Sequence, residues 1–305
     1  TNIMEKQTKL AIVGRGYWGT IYVNTIKPLS WVSIPEKYIL GRNYKELLTQ
    51  NNNKDIEGII VATPPEYHYE VAKYLIEIGY LNLLIEKPLT NDLKTAELLL
   101  EMEKSNPDGI LMVGHVHLYD PAYQEMKNFI QKRLGKIIQI NYTSLKSKPV
   151  ENSTVLKHLS PHPLSIFLDL ANSNPTQVEA HKTEYDNVEL NIKFENGISG
   201  CTKMGTTYPE RKREIEILGE NGKIYLSEFL NPRELVYTDK NGKKENINFP
   251  IESPLEMQIL EFVNCINSKR KPRTTISQGL QVVKLIELAL VSLDEGTSVN
   301  FALSR

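Results

Sequence analysis

The chain has 305 residues, 40% of them hydrophobic and 24% charged, enough to bury one large core or two. Its 36 Lys and Arg stand against 37 Asp and Glu, a formal net charge of −1 that leaves no basic field for nucleic acid. Cys201 and Cys265 lie far apart, in no metal or redox spacing, and read as packed thiols of a reducing compartment.

The opening TNIMEKQTK has no apolar centre of a leader, and no run approaches the ~18 apolar residues that cross a bilayer. The expectation is a cytoplasmic protein without membrane or nucleic-acid partners. Then comes KLAIVGRGYWG. An apolar strand (Leu10–Val13) turns through Gly14, Gly16 and Gly19 into a helix expected over Tyr17–Ile26, ahead of Pro28. Gly14 permits the tight turn, Gly16 leaves room for a pyrophosphate beside the backbone, and Gly19 lets the helix pack on the strand. The helix start adds unpaired N–H groups for the phosphates.

WVSI (31–34) reads as the second strand, cut by Pro35. YIL (38–40) reads as the strand after it, with the intervening helix deleted. EGIIVA (57–62) is a strand ended by Thr63-Pro64-Pro65. A helix over 66–79 turns Val71, Leu75 and Ile78 inward and stops at Gly79. LNLLIE (81–86), a helix over Asn91–Lys104 and GILMVGH (109–115) continue the alternation, which implies a parallel doubly wound sheet.

After Pro121 the rhythm changes. A helix over 121–133 leads into period-two segments at 136–146, 188–194, 197–204, 213–219, 222–227, 234–239 and 244–249, with helices at 161–171, 255–268 and 277–291. The expectation is an α/β chain: a dinucleotide-binding domain over 1–120, then an α+β substrate and oligomerisation domain over 121–305. That second domain carries a large open-faced mixed sheet. Val188, Leu190 and Ile192 alternate with Glu189, Asn191 and Lys193, so one face is apolar and the other mixed.

These pieces, taken in order, resemble the Gfo/Idh/MocA family of NAD(P)-dependent sugar and cyclitol oxidoreductases. The segments are AIVGRGYWG (11–19), VATPPEYHYEVAKYLIEIGY (61–80), LLIEKPLT (83–90), VGHVHLYDPAY (113–123), LGKI (134–137), SPHPLSIFLDL (160–170) and KREIEILGENGKI (212–224). Glu86-Lys87-Pro88 is the most specific of them. The resemblance implies hydride transfer between a nicotinamide cofactor and a secondary alcohol or ketone of a sugar or nucleotide sugar. It also implies a homodimer or homotetramer through the second sheet. Lys87 would touch the substrate hydroxyl and the nicotinamide ribose, and its ammonium would stabilise alkoxide character. His162 would be the acid/base group. At a helix start behind Ser160-Pro161, the positive helix end disfavours imidazolium.

The family often places an aspartate four residues before that histidine, where this chain has His158; it reads either as a proton relay or as a space-filler. His115 and His117 are expected on one face of a strand end; the resemblance puts either in reach of substrate, or else they are hydrogen-bonded histidines lining the domain junction. Tyr17, Trp18, Thr63, Pro64, His68 and Glu86 would join the glycines and Lys87 around the cofactor. Lys212 and Arg213 match a basic motif of the second domain and read as solvated. Near the adenosine ribose Glu36 is the one acid, while Arg15 and Arg42 offer themselves to a 2′-phosphate. The cofactor is expected to be NAD or NADP, NAD slightly favoured, with no metal. A second reading is a member that has lost catalysis and senses a dinucleotide or sugar. Its grounds are the shortened second-strand region and the missing carboxylate.

Overall fold

The computed structural model describes residues 7–50, 55–147, 155–184, 187–209, 211–227 and 233–301. Part of the segment read for a leader, residues 1–6, lies outside these. The chain divides into two compact units. The first runs to Val116 and includes Ser253–Val283; the second is His117–Glu252 with the residues from Lys284 onward. A boundary at Pro121 alone would leave the whole of 253–283 in the second domain.

In the first unit, β1 (Thr8–Val13) is followed by α1 (Tyr17–Ile26), β2 (Val32–Ser33), β3 (Ile39–Leu40), α2 (Tyr44–Gln50), β4 (Gly58–Val61), α3 (His68–Glu77), β5 (Asn82–Glu86), α4 (Leu93–Ser105) and β6 (Ile110–Gly114). The sheet is parallel throughout, in the order β2-β1-β4-β5-β6, with β3 also on β1. Strands covered on both faces need apolar side chains in both directions. Accordingly Leu10–Val13, Ile59–Val61 and Leu83–Ile85 are all buried.

One expectation is corrected here. Residues 38–40 are not a further strand reached by deleting a helix. β2 pairs with β1 at Thr8 and Lys9, and β3 pairs with it at Ile12 and Val13. They are two halves of one second strand, parted by a 3-10 turn over Glu36–Tyr38 behind Pro35. Pro35 has no N–H for the ladder, so the chain bulges and returns to the same neighbour. The helix is present, as α2. A smaller correction concerns Ile78, expected inward on α3, which is an exposed hydrophobic.

The segment between the second unit's two stretches completes the first unit. α8 (Pro254–Ser268) lays Phe262 and Ile266 against Gly58, where a Cβ would stand 3.0 and 2.8 Å from them. Thr274 bonds Val113 through both its carbonyl and its hydroxyl (3.0 and 2.7 Å). Contrary to the expectation that no run is long and apolar enough to cross a bilayer, α9 (Ile276–Glu295) meets that measure by length and composition. Yet its Ile276 and Val283 are buried in the first unit's core, the pattern of a core helix.

The second unit carries α5 (Pro121–Phe129), β7 (Ile137–Leu145), α6 (Val155–Leu159), α7 (Pro161–Ala171), β8 (Pro175–Lys182), β9 (Val188–Phe194), β10 (Ser199–Gly205), β11 (Lys212–Gly219), β12 (Gly222–Ser227), β13 (Glu234–Asp239), β14 (Lys244–Asn246) and β15 (Val299–Asn300). These strands form a mixed sheet of nine, β14-β13-β12-β11-β7-β10-β9-β8-β15, with only β7 and β10 parallel. Ile140, Tyr142, Leu190, Ile192, Ile215 and Ile217 point to the buried face. Alternation therefore set the register, since a slip of one residue would exchange the faces.

Candidate active site

The order of the first sheet defines a switch point: the chain leaves β1 for β2 and β3 on one side, then crosses to β4 on the other. Ligands of open α/β sheets bind outside the carboxyl ends of the strands at such a point. Gly14 lies there with φ +128°, and a Cβ on it would meet the Ala62 carbonyl oxygen at 2.4 Å. A Cβ on Gly19 would strike the Gly14 carbonyl at 1.9 Å. Gly16 would meet nothing within 4 Å. Its backbone opens α1, which has no side-chain cap and no acid in its first turn. Two glycines are thus demanded by packing, and the third keeps an approach to bare helix N–H groups open. That cradle fits a pyrophosphate.

Thr63, just past β4, has a buried Oγ1 without a partner among the described residues, so it can bond a group arriving at this edge. Pro64 beside it is exposed. Tyr17 is 77% exposed and meets Trp18 edge-on at 5.9 Å. Its ring stands at the surface of the turn and is not packed under the helix.

Lys87 follows β5, one strand from the switch point, and is half-buried; the Lys87-Pro88 peptide is cis. The residues around it hold the turn. Glu86 is buried, with Oε1 accepting from the Tyr22 hydroxyl (2.6 Å) and Oε2 from the Lys87 N–H (3.1 Å). Gln258 donates in turn to the Tyr22 oxygen at 2.7 Å. Burial pushes the Glu86 carboxyl above its ordinary range, against the pull of Tyr22 and Lys87. A Cβ on Gly114 would stand 2.9 Å from Glu86 Oε1, so a side chain there would displace the carboxylate.

His68 is wholly buried. Its Nε2 lies 2.8 Å from the Thr63 carbonyl oxygen, and its Nδ1 lies 3.0 and 3.2 Å from those of Pro88 and Leu89. It therefore ties the end of β4 to the turn after β5. Burial draws the ring below the usual imidazole range, although the three carbonyls favour the proton. Glu86 and His68 were both expected to line the cofactor. The structure instead commits their hydrogen-bonding atoms to the chain itself, so both act as supports for the Lys87 turn.

His115 and His117 sit differently from expectation. β6 ends at Gly114, so strand alternation does not govern His115 and His117. His115 is fully buried in the first unit. His117 lies on a 3-10 turn of the second unit, its ring 4.2 Å from that of His162 and roughly perpendicular to it. His162 stands in the first turn of α7 as expected. Ser160 does not cap that helix; its backbone is helical and its hydroxyl donates to the Leu156 carbonyl at 2.6 Å. The chain turns from α6 into α7 almost without a break, and the hydroxyl is spent on the earlier helix.

His158, on α6, has Nε2 3.0 Å from the Lys146 ammonium. An ammonium can only donate, so Nε2 accepts and Nδ1 carries the proton. Nothing in the sequence pattern pointed to Lys146, one residue past β7, or to Tyr22 and Gln258 behind Glu86. These partners are 12, 64 and 236 residues away in pairings only the fold makes. Lys212 pairs with Glu214 at 2.9 Å on an exposed strand start. Among the described residues, no group of three or more His, Cys, Asp or Glu could hold a metal.

Comparison with known proteins agrees with this architecture. Residues 33–115 match the NAD-binding Rossmann-fold domain of an oxidoreductase family, and residues 130–301 match its C-terminal α/β domain. The chain belongs to that family, Gfo/Idh/MocA. Oxidoreductase P35 of Formosa agariphila is 25% identical over 235 residues, 70% of each protein. UDP-N-acetylglucosamine 3-dehydrogenase GnnA from Acidithiobacillus ferrooxidans superposes with TM-score 0.81 at 19% identity, over 95% of this chain and 99% of that one. Scyllo-inositol dehydrogenase from Lactobacillus casei, solved with NAD(H) and scyllo-inositol, does so with TM-score 0.81 at 15% identity, over 97% and 99%. At these identities the superpositions speak for the fold.

Proposed function

We propose that the chain is a nicotinamide-dependent dehydrogenase or reductase acting on a secondary alcohol or ketone of a sugar, cyclitol or nucleotide sugar. The observation that carries this reading is the Glu86-Lys87-Pro88 turn. It stands one strand from the switch point, beside the glycine cradle, and is braced by Tyr22 and His68. A bound nicotinamide would accept or give the hydride. Lys87 would hold the substrate oxygen and stabilise its negative character. His162 would take the hydroxyl proton in oxidation and return it in reduction. His158 fits positioning better than relay, because its Nε2 already faces an ammonium and an imidazolium there would meet like charge. Sugars with adjacent hydroxyls, as in the two dehydrogenases compared above, are the substrates to try first.

The sensing alternative loses one of its grounds, since the second strand and α2 are both present. The experiment offers 4-deuterated NADH and NADPH to the keto forms of sugar nucleotides, pyranoses and inositols, whose carbonyl can take the deuteride. Deuterium in a carbinol product is expected. Dinucleotide binding without turnover on any of them would favour the sensor.

A further inference from the structure

The two halves of the second strand decide where the adenosine ribose meets the chain. Gly14 N–H donates to the Leu40 carbonyl at 2.9 Å, so Gly41 and Arg42 leave the sheet directly beside the glycine turn. Dinucleotide folds that take NAD place an acid here to accept from the ribose diol; an arginine here accommodates a 2′-phosphate. Residues 39–45 read ILGRNYK and contain no carboxylate. Glu36 comes before β3, in the exposed 3-10 turn, ahead of the strand rather than at its carboxyl end.

Two guanidiniums stand at this strand end. Arg15, inside the glycine turn, reaches across and donates Nε and Nη2 to the Ile39 carbonyl at 3.0 and 2.6 Å. It passes over Gly41, where a Cβ would lie 3.6 Å from Arg15 Cδ. Arg42 is exposed on the adjoining residue. Neither arginine enters an ion pair among the described residues. Lys45, the next cation, is turned onto Tyr74, its Nζ 4.9 Å from the ring centre.

We infer that this chain selects NADP(H) over NAD(H), with Arg42 as the principal phosphate contact and Arg15 as a second cation fixed in place by the Ile39 carbonyl. The inference rests on the dinucleotide reading above and reverses the slight preference for NAD over NADP. A phosphate monoester matches a guanidinium fork in charge and geometry, whereas a bare ribose diol finds no carboxylate in this stretch.

Calorimetric titration of the whole chain with NADPH and NADH tests this without turnover. NADPH should bind tighter by about tenfold or more, the range of a charge-assisted hydrogen bond. Adenosine 2′,5′-bisphosphate should likewise bind better than 5′-AMP, which isolates the ribose end from the nicotinamide. Arg42→Ala should remove most of the NADPH advantage and leave NADH binding unchanged, and Arg42→Asp should turn the preference to NADH. Equal or tighter NADH binding by the native chain would overturn the inference while the dinucleotide reading stood. So would an Arg42→Ala variant that lost both cofactors alike. Binding of neither would overturn both.

Discussion

Lys87 and His162 carry separable parts of the proposed reaction, and their losses should look different. Lys87→Ala should lower turnover roughly 10²–10³-fold, the usual worth of one preorganised electrostatic group. His162→Ala should lower it about 10²–10⁴-fold and flatten the pH profile, with cofactor affinity intact. Near-normal turnover and pH profile in His162→Ala would reassign the proton-transfer role. His68 is a positioning residue, and its two ring nitrogens can be tested apart. Asn reproduces a donor near Nδ1, facing Pro88 and Leu89; Gln reproduces one near Nε2, facing Thr63. If the Lys87 turn is what matters, His68→Asn should keep more kcat than His68→Gln, while KM for the cofactor moves little in either. The same ring sets a pH dependence. Its folded pKa lies below the ordinary 6.5, so below that pH the unfolded chain binds the extra proton. His68 stabilisation is complete above about pH 6.5 and fades as pH falls, and urea melts of His68→Asn should lose that part of the slope.

At the scale of elements, the glycine turn separates packing from ligand room. Gly19→Ala drives a Cβ into the Gly14 carbonyl and should cost several kcal/mol, or ~3 or more, because backbone must yield. Gly16→Ala has open space and an ordinary φ of −77°, so its melting temperature should barely move while dinucleotide affinity falls. A Gly16→Ala variant that kept full affinity would move the phosphate elsewhere. The Glu86 brace adds a pH test. Because Glu86 is pushed up, the folded state keeps its proton longer than the unfolded chain, and stability declines as pH rises through about 4.5 and beyond. Tyr22→Phe removes the donor that eases the anion. It should cost about 1–3 kcal/mol, with the larger loss at the alkaline side of that window. The parallel strands, the glycine turn and the α7 histidine were legible because each rests on local pattern: apolar runs, fixed spacing, a proline at a helix start. The composite second strand was not, since Pro35 gives the same signal whether a strand ends or merely bulges. The roles of Glu86 and His68 were hidden for another reason: a motif names its residues but not which of them face inward.

For the whole molecule, the open face of the nine-stranded sheet poses the remaining question. Its edges are blunted against further strand pairing. β14 is three exposed residues, with Glu245 held by Arg133 at 2.7 Å, and β15 is two residues long. Any association through this sheet therefore uses its face. Along that face Asn141, Thr143, Asn191 and Cys201 are half-buried, and Lys223 is paired with Glu216 at 2.8 Å. Half-buried polar side chains of this kind suit a polar, hydrogen-bonding interface. We expect a homodimer or homotetramer packed face to face, with sedimentation at micromolar concentration as the check. A monomer would remove the claim. Cys201 marks the middle of the face, on β10 between β7 and β9. Burial and then Glu189 push its thiol to about 11, so the site holds a neutral group at working pH. Cys201→Arg brings a cation to that place. In a two-fold face-to-face packing each arginine approaches its own copy, and like charges there should drive the assembly towards monomers. Side chains on this face point away from the core, so the variant's urea midpoint, measured at a concentration where both proteins are monomeric, should stay close to the parent's. An unchanged sedimentation profile would place the interface somewhere other than this sheet.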